Sequence, residues 1–177
     1  MMNDYIRSDL MRYYGKYDTL TFFKAYLTDK TFRFQYAFRL CQTSGLTRLI
    51  GFVLWKLNRN RDHIQLRRQT KVGYGLYISH GGPIVVNPTA VIGNNVNLSQ
   101  FTTIGSNEGP AAIIGDNTYI GPNVCIVGNV RIGSNVTIGA GSVVTKDIPD
   151  NATAVGNYAK VIHYKDPGQF VNDRWEV

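Results

Sequence analysis

The chain has 177 residues, of which 44% are hydrophobic, and a formal net charge of +7. This length and composition fit one globular domain with its own core and exclude a disordered or low-complexity chain. No apolar run reaches the roughly 18 residues that a membrane-spanning helix needs, and no signal-peptide pattern begins the sequence, so we expect a cytoplasmic protein.

The first third of the chain carries the excess positive charge and has no repeat. Residues 1–68 contain 13 Lys and Arg against 5 Asp and Glu, whereas residues 69–177 contain 6 against 7. Three of its segments predict helices: "SDLMRYYGKY", "TLTFFKAYLTDKTFRFQYAFRLCQ" and "LTRLIGFVLWKLNRN". Ser8 and Thr19 are the predicted N-caps of the first two, and Gly45 breaks the chain before the third. We expect these helices to cover one end of the domain that follows.

The basic and aromatic residues of this region allow two interpretations. They fit a helical core with a solvated face, and they also fit a surface that contacts a membrane or a lipid-linked substrate, since "LIGFVLWK" is flanked by basic residues. No recognised motif accompanies the charge, so we expect no nucleic-acid partner.

From residue 72 onward the sequence repeats with a period of six. Aliphatic residues recur in two runs, each in phase: Val86, Ile92, Leu98 and Ile104, then Ile114, Ile120, Ile126, Ile132, Ile138 and Val144. Four residues later comes a small or β-branched residue: Val96, Thr102, Thr118, Val124, Val136 and Ser142. Helices repeat apolar residues every three or four positions and simple strands every two, so this period predicts a solenoid with one short strand and one turn per hexad.

The repeat is interrupted twice. Ile84 precedes Val86 by only two residues, just after His80 in "LYISHGGPIVV", and Ile104 precedes Ile114 by ten, which leaves four extra residues within "GSNEGPAA". Functional sites are often built where loops leave a rigid scaffold. We therefore favour a functional role for His80 over that of a structural turn residue.

The hexad array resembles the left-handed β-helix acyltransferases, in particular the serine acetyltransferase-like branch with its short O-acetyltransferases of polysaccharide gene clusters. Two segments carry the resemblance, "KVGYGLYISHGGPIVVNPTAVIGNNV" and "IGAGSVVTKDIPDNATAVGNYAKVI". It implies a mainly β fold: a small N-terminal α-helical region over residues 1–68, a left-handed parallel β-helix over residues 69–165 and a C-terminal tail over residues 166–177.

The resemblance implies an acetyl-CoA-dependent O-acetyltransferase with His80 as the catalytic general base. A hydroxyl attacks a thioester usefully only if a base accepts its proton, and histidine, with an ordinary pKa of about 6.5, suits this task. The resemblance assigns six residues to acetyl-CoA binding: Gly105, Pro122, Ala140, Thr145, Lys146 and Lys160. It also implies a homotrimer that binds acetyl-CoA in the groove between neighbouring subunits, with both lysines facing the phosphates.

The expected acceptor is inferred from the positions at which this sequence differs from serine acetyltransferases. The Asp that precedes the histidine in that family is Ser79 here, its upstream Asp is Gln65, and its Arg-His pair is replaced within "SNEGPAA". A buried charge on a substrate needs such partners. We therefore expect a small-molecule or lipid-linked sugar acceptor in surface polysaccharide synthesis, with serine as the alternative acceptor.

A non-catalytic β-helix scaffold is the alternative from a different class. A regular ladder of identical polar residues on one face would favour it, and we find no such ladder in the sequence.

No metal is expected. The three histidines are 17 and 83 residues apart, which does not fit a three-histidine zinc site, and Cys41 and Cys125 lack paired spacing and fit two buried thiols.

Overall fold

The computed structural model describes residues 2–58 and 63–176. Its first part is helical, with α1 at Asp4–Tyr14, α2 at Thr19–Thr28, α3 at Lys30–Cys41 and α4 at Gly45–Asn58. The helical region is confirmed, but the second predicted helix is two helices. Asp29 ends α2 and caps α3, because its carboxylate accepts a hydrogen bond from the Phe32 amide at 3.0 Å. Residues 59 and 60 of the last predicted helix lie outside the described residues.

Both predicted N-caps are wrong. Asn3 caps α1 and Asp18 caps α2, each through a side-chain oxygen that accepts from a backbone amide three residues later. Ser8 is buried inside α1, where its hydroxyl accepts from the Gly75 amide at 2.9 Å. Asn and Asp cap at least as well as Ser and Thr, so the earlier polar residue prevails in each case.

Fifteen short strands follow in the described part of the chain. They are β1 Ile64–Leu66, β2 Lys71–Val72, β3 Tyr77–Ile78, β4 Ile84–Val86, β5 Val91–Ile92, β6 Asn97–Leu98, β7 Thr103–Gly105, β8 Ile113–Ile114, β9 Tyr119–Ile120, β10 Cys125–Val127, β11 Arg131–Ile132, β12 Thr137–Ile138, β13 Val143–Val144, β14 Thr153–Val155 and β15 Lys160–His163.

Every third strand pairs in parallel, which gives a three-sided solenoid of about five turns. The first sheet has the order β1-β4-β7-β10-β13 and the second β2-β5-β8-β11. The third runs β3-β6-β9-β12-β14 and ends in β15, which is antiparallel to β14. The predicted mainly β solenoid is confirmed. It begins earlier than the predicted boundary at residue 69, since β1 already pairs with β4; "IQL" lacks the Gly or Asn that marks the other hexads.

The predicted inward positions form the core. The ten in-phase aliphatic residues are at most 3% exposed, and the six small or β-branched residues are at most 1% exposed. Both interruptions are also confirmed by the strand register. Tyr77 pairs with Asn97, and Val85 pairs with Thr103. Val85 comes eight positions after Tyr77, whereas Thr103 comes only six positions after Asn97, so the His80 corner holds two extra residues. The second interruption is the loop 106–112 between β7 and β8.

A ladder of asparagines, which the sequence analysis did not identify, follows one corner of the solenoid. Asn95, Asn117, Asn135 and Asn151 all have positive φ, and the side-chain amide of each of the first three donates to the next Asn oxygen at 3.0–3.2 Å. Because the ladder satisfies its own polar groups at turn positions, it has a structural role. The asparagines are 22, 18 and 16 residues apart in the sequence, and this unequal spacing conceals the ladder.

The C-terminal tail packs on this ladder. The Trp175 amide donates to the Asn95 side chain at 2.8 Å, and the Gly168 amide donates to the Asn135 carbonyl at 2.9 Å. Residues 166–176 are therefore part of the packed domain.

Helices α1 and α3 cover the first turn of the solenoid. Arg39 of α3 is 1% exposed and binds Asp9 of α1 through two hydrogen bonds of 2.7 and 2.9 Å. It also donates to the carbonyls of Val72 and Gly73 on the first turn. The end of the solenoid is thus tied to the helices by a buried ion pair rather than left open.

Candidate active site

His80 lies at an enlarged corner of the solenoid, between β3 and β4. Its φ is 62°, and Gly81 and Gly82 follow with φ of 59° and 79°. Glycine adopts positive φ readily, so Gly81 and Gly82 allow the chain to turn sharply here, and the His80 side chain is exposed. None of the described residues makes a hydrogen bond or ion pair with the imidazole, so both ring nitrogens are available to a ligand.

The N-terminal helices reach this corner. A Cβ added to Gly81 would lie 2.9 Å from the hydroxyl oxygen of Thr31, which is in the first turn of α3. Tyr13 of α1 donates to the Ile78 carbonyl at 3.1 Å, two residues before the histidine. Burial raises the pKa of Tyr13 well above its usual value, so this phenol stays neutral and holds its hydrogen bond. The helical region therefore fixes the chain that leads into His80.

The His80 corner repeats on each turn, and Pro122 and Ala140 belong to it. Backbone hydrogen bonds join the corner from turn to turn: Phe101 to Pro83, Asn123 to Gln100 and Gly141 to Pro122, at 2.7–3.0 Å. The stacked corners form one long edge of the three-sided solenoid, at which the strands of the first sheet begin. Since neighbouring strands are about 4.8 Å apart, Pro122 and Ala140 lie roughly 10 and 14 Å from the histidine corner along this edge.

Lys160 lies near the far end of the same edge. The Gly156 amide donates to the Ser142 hydroxyl at 3.1 Å, and the Ala159 amide donates to the Val143 carbonyl at 2.8 Å. The segment that leads to Lys160 therefore crosses the His80 corner on the last turn, and the exposed ammonium group follows it.

The other three predicted acetyl-CoA residues lie at a different corner. Gly105 ends β7, and Thr145 and Lys146 follow β13. These residues therefore lie where the strands of the first sheet end, at the opposite edge of this face of the solenoid, together with the loop 106–112. Within one subunit, the six predicted residues thus form two groups on the two edges of one sheet. Only Pro122, Ala140 and Lys160 share the edge of His80.

Sequence reasoning missed Phe101, which occupies the His80 corner one turn further along. Its φ is 61°, a region that bulky side chains rarely adopt, and the residue is 53% exposed. Its signal in the sequence was a phenylalanine at a turn position where other hexads carry Asn or Gly. Strained backbone of this kind is concentrated at functional sites.

Gln100, the neighbour of Phe101, was missed as well. Its Oε1 is buried without a hydrogen-bond partner among the described residues, and a Cβ at Gly82 would lie 3.3 Å from its Cβ.

Comparison with known proteins identifies the family. The model named Bacterial transferase hexapeptide (six repeats) matches residues 111–146. The chain is 33% identical over 117 residues to the serine acetyltransferase of Helicobacter pylori, covering 64% of this chain and 68% of that protein. The chain belongs to the hexapeptide-repeat acyltransferases, in their serine acetyltransferase-like branch.

Solved structures of this family share the fold. Soybean serine acetyltransferase superimposes with a TM-score of 0.72 at 31% identity, over 89% of this chain and 67% of that one. A Brucella abortus serine acetyltransferase in complex with coenzyme A superimposes with a TM-score of 0.72 at 27% identity, over 89% of this chain and 66% of that one.

Some sequence relatives are much longer than this chain. Serine acetyltransferase 3, mitochondrial, of Arabidopsis thaliana is 44% identical over 100 residues, which are 54% of this chain but 26% of that protein. The chain spans 26% and 42% of the length of serine acetyltransferases 3 and 1 of Arabidopsis thaliana.

Two further predictions from the sequence concern metal ligands and the two cysteines. Across residues 2–58 and 63–176, no cluster of three His, Cys, Asp or Glu side chains is placed to hold a metal ion. Both cysteines are free; Cys41 is buried, and this burial raises the pKa of its thiol. The expectation of two buried thiols is wrong for Cys125, which is half-buried because it occupies an outward position of β10.

Proposed function

We propose that this protein transfers an acetyl group from acetyl-CoA to an acceptor hydroxyl, with His80 as the general base. The observation that carries the proposal is the exposed, unpaired imidazole at an enlarged corner of the acyltransferase scaffold. The coenzyme A complex of the Brucella abortus relative supports acetyl-CoA as the donor.

In the proposed reaction, the neutral imidazole accepts the hydroxyl proton while the acceptor oxygen attacks the thioester carbonyl carbon. The new carbon–oxygen bond forms, the carbon–sulfur bond breaks, and the imidazolium returns the proton to the departing CoA sulfur. Pro122 and Ala140 would present backbone to the pantetheine arm, and Lys146 and Lys160 would face the CoA phosphates as ammonium groups.

L-Serine is the first candidate acceptor, because the relatives that match are serine acetyltransferases. A sugar hydroxyl is the second candidate, and Phe101 favours it. An exposed ring on the turn next to the imidazole offers an apolar platform for a sugar face, and Ser79 supplies no counter-charge for an amino acid.

An acceptor screen with acetyl-CoA tests the function and distinguishes the acceptors. We expect acceptor-dependent release of free thiol, with L-serine in one arm and neutral sugars or sugar nucleotides in the other. Phe101→Asn keeps a residue that tolerates positive φ but removes the ring. If a sugar is the acceptor, this variant should raise its KM several-fold with little change in kcat; an unchanged KM contradicts the sugar proposal. No thiol release with any hydroxyl acceptor contradicts the proposed function itself.

We also propose that the active form is a trimer. The two groups of predicted acetyl-CoA residues lie on opposite edges of one sheet, and a cyclic assembly would bring one edge of each subunit against the other edge of its neighbour. We therefore expect a species of three times the chain mass of 19.8 kDa in sedimentation velocity at micromolar concentration. A monomer that retains full acetyltransferase activity would overturn this proposal.

A further inference from the structure

Helix α4 exposes an apolar face directly away from the protein. It packs on α3 through Gly51 and Trp55, both of which are buried; a Cβ at Gly51 would lie 2.6 Å from the backbone of α3. The residues on the opposite side of the helix are 48–73% exposed: Leu46, Leu49, Ile50, Val53 and Leu57. A helix on a protein surface normally presents polar residues to water, so this face is expected to be covered by something else.

Helix α2 adds a second apolar stripe beside the same central helix. Leu20, Phe23 and Leu27 are spaced three and four residues apart and are 57–80% exposed. Both α2 and α4 pack on α3. The helical cap therefore has two exposed apolar stripes, which we call the α2/α4 surface.

The charges around the α2/α4 surface favour an anionic partner. Between residues 19 and 58 the sole acidic residue is Asp29, and its carboxylate is used as the N-cap of α3. Lys24, Lys30, Arg48 and Lys56 are all exposed in this span. By helical spacing, Lys56 lies beside the apolar face of α4 and Lys24 beside that of α2, where long side chains keep their charges in water next to an apolar stripe.

We propose that the α2/α4 surface binds the surface of an anionic lipid bilayer, with α4 lying in the plane of the interface. An amphipathic helix with a Leu-rich face and flanking cations binds membranes by burying apolar area and by attraction to anionic headgroups. A second copy of the chain would bring the same positive charge to the contact, which opposes self-association there. In the part of the chain that the structure describes, no helix is long and apolar enough to cross a bilayer.

Co-sedimentation of the full-length protein with liposomes tests the proposal. We expect binding to vesicles of mixed phosphatidylcholine and phosphatidylglycerol, weaker binding to phosphatidylcholine alone, and weakening in high salt. Lys24→Gln with Lys56→Gln should reduce binding roughly tenfold or more, given about 1 kcal/mol for each basic residue near the surface. Leu49→Gln with Val53→Gln should abolish it.

Ile113→Gln is the matched control, because it changes an aliphatic residue of the solenoid that is also exposed and should leave binding unchanged. Circular dichroism verifies that each variant is folded. Two outcomes overturn the proposal: no binding to either vesicle type by the wild type, or an oligomer that Leu49→Gln with Val53→Gln dissociates, which would make the α2/α4 surface a contact between copies.

Discussion

Replacing His80 with asparagine should lower kcat by roughly 10²- to 10⁴-fold, the range that follows removal of a positioned acid–base group. Asparagine tolerates positive φ, so the corner at φ 62° keeps its backbone while the base is lost. The KM for acetyl-CoA should change little, because the proposed binding residues lie on other turns. The measurement is thiol release under saturating acceptor and acetyl-CoA.

His163→Asn is the control for this prediction. His163 is in β15 near the C-terminal end, outside the corner that holds His80, and its replacement should leave kcat unchanged. Near-normal turnover of a folded His80→Asn protein would show that this histidine is a turn residue.

The periodic part of the fold could be predicted from the sequence because each hexad carries its own signal. An inward aliphatic such as Ile120 and a crowded small residue such as Val124 recur in phase, so a short window already indicates the solenoid. The interruptions could also be predicted, because a change in the six-residue spacing is visible in a window as short as the one that shows the repeat. This is why the enlarged corner at His80 was predicted and confirmed.

Features that depend on neighbouring turns were not predictable in this way. The Asn ladder is formed by residues 16–22 positions apart, and its spacing changes where the loop 106–112 is inserted. The assignment of Gly105 and Lys146 to an edge other than that of His80 also depends on which corner each hexad occupies. The catalytic role of His80 and the roles of the acetyl-CoA residues remain predictions.

Breaking the buried pair between α1 and α3 should have the largest effect on stability. Asp9→Asn leaves the Arg39 guanidinium buried without its counter-charge, and we expect the free energy of unfolding to fall by about 3–5 kcal/mol. The geometry supports a cost at the upper end. Both carboxylate oxygens of Asp9 bind Arg39, and one also accepts from the Leu76 amide at 2.9 Å, so the change weakens the junction between helices and solenoid at several bonds. Chemical denaturation followed by circular dichroism measures the change.

Asp4→Asn is the matched control on the same helix. Asp4 pairs with Arg7 at 3.3 Å on the exposed side of α1, and such a pair contributes at most about 1 kcal/mol.

A second test separates the effect of lost charge from that of lost packing. Asp9→Leu with Arg39→Met removes both ions. Its cost in stability should be smaller than the sum of the two single changes, because neither partner is left as an isolated buried charge. If Asp9→Asn costs no more than Asp4→Asn, the pair does not hold the helical cap to the solenoid. The cap must then be held by its apolar contacts and by bonds such as that from Gln35 to the Leu76 carbonyl, at 2.7 Å.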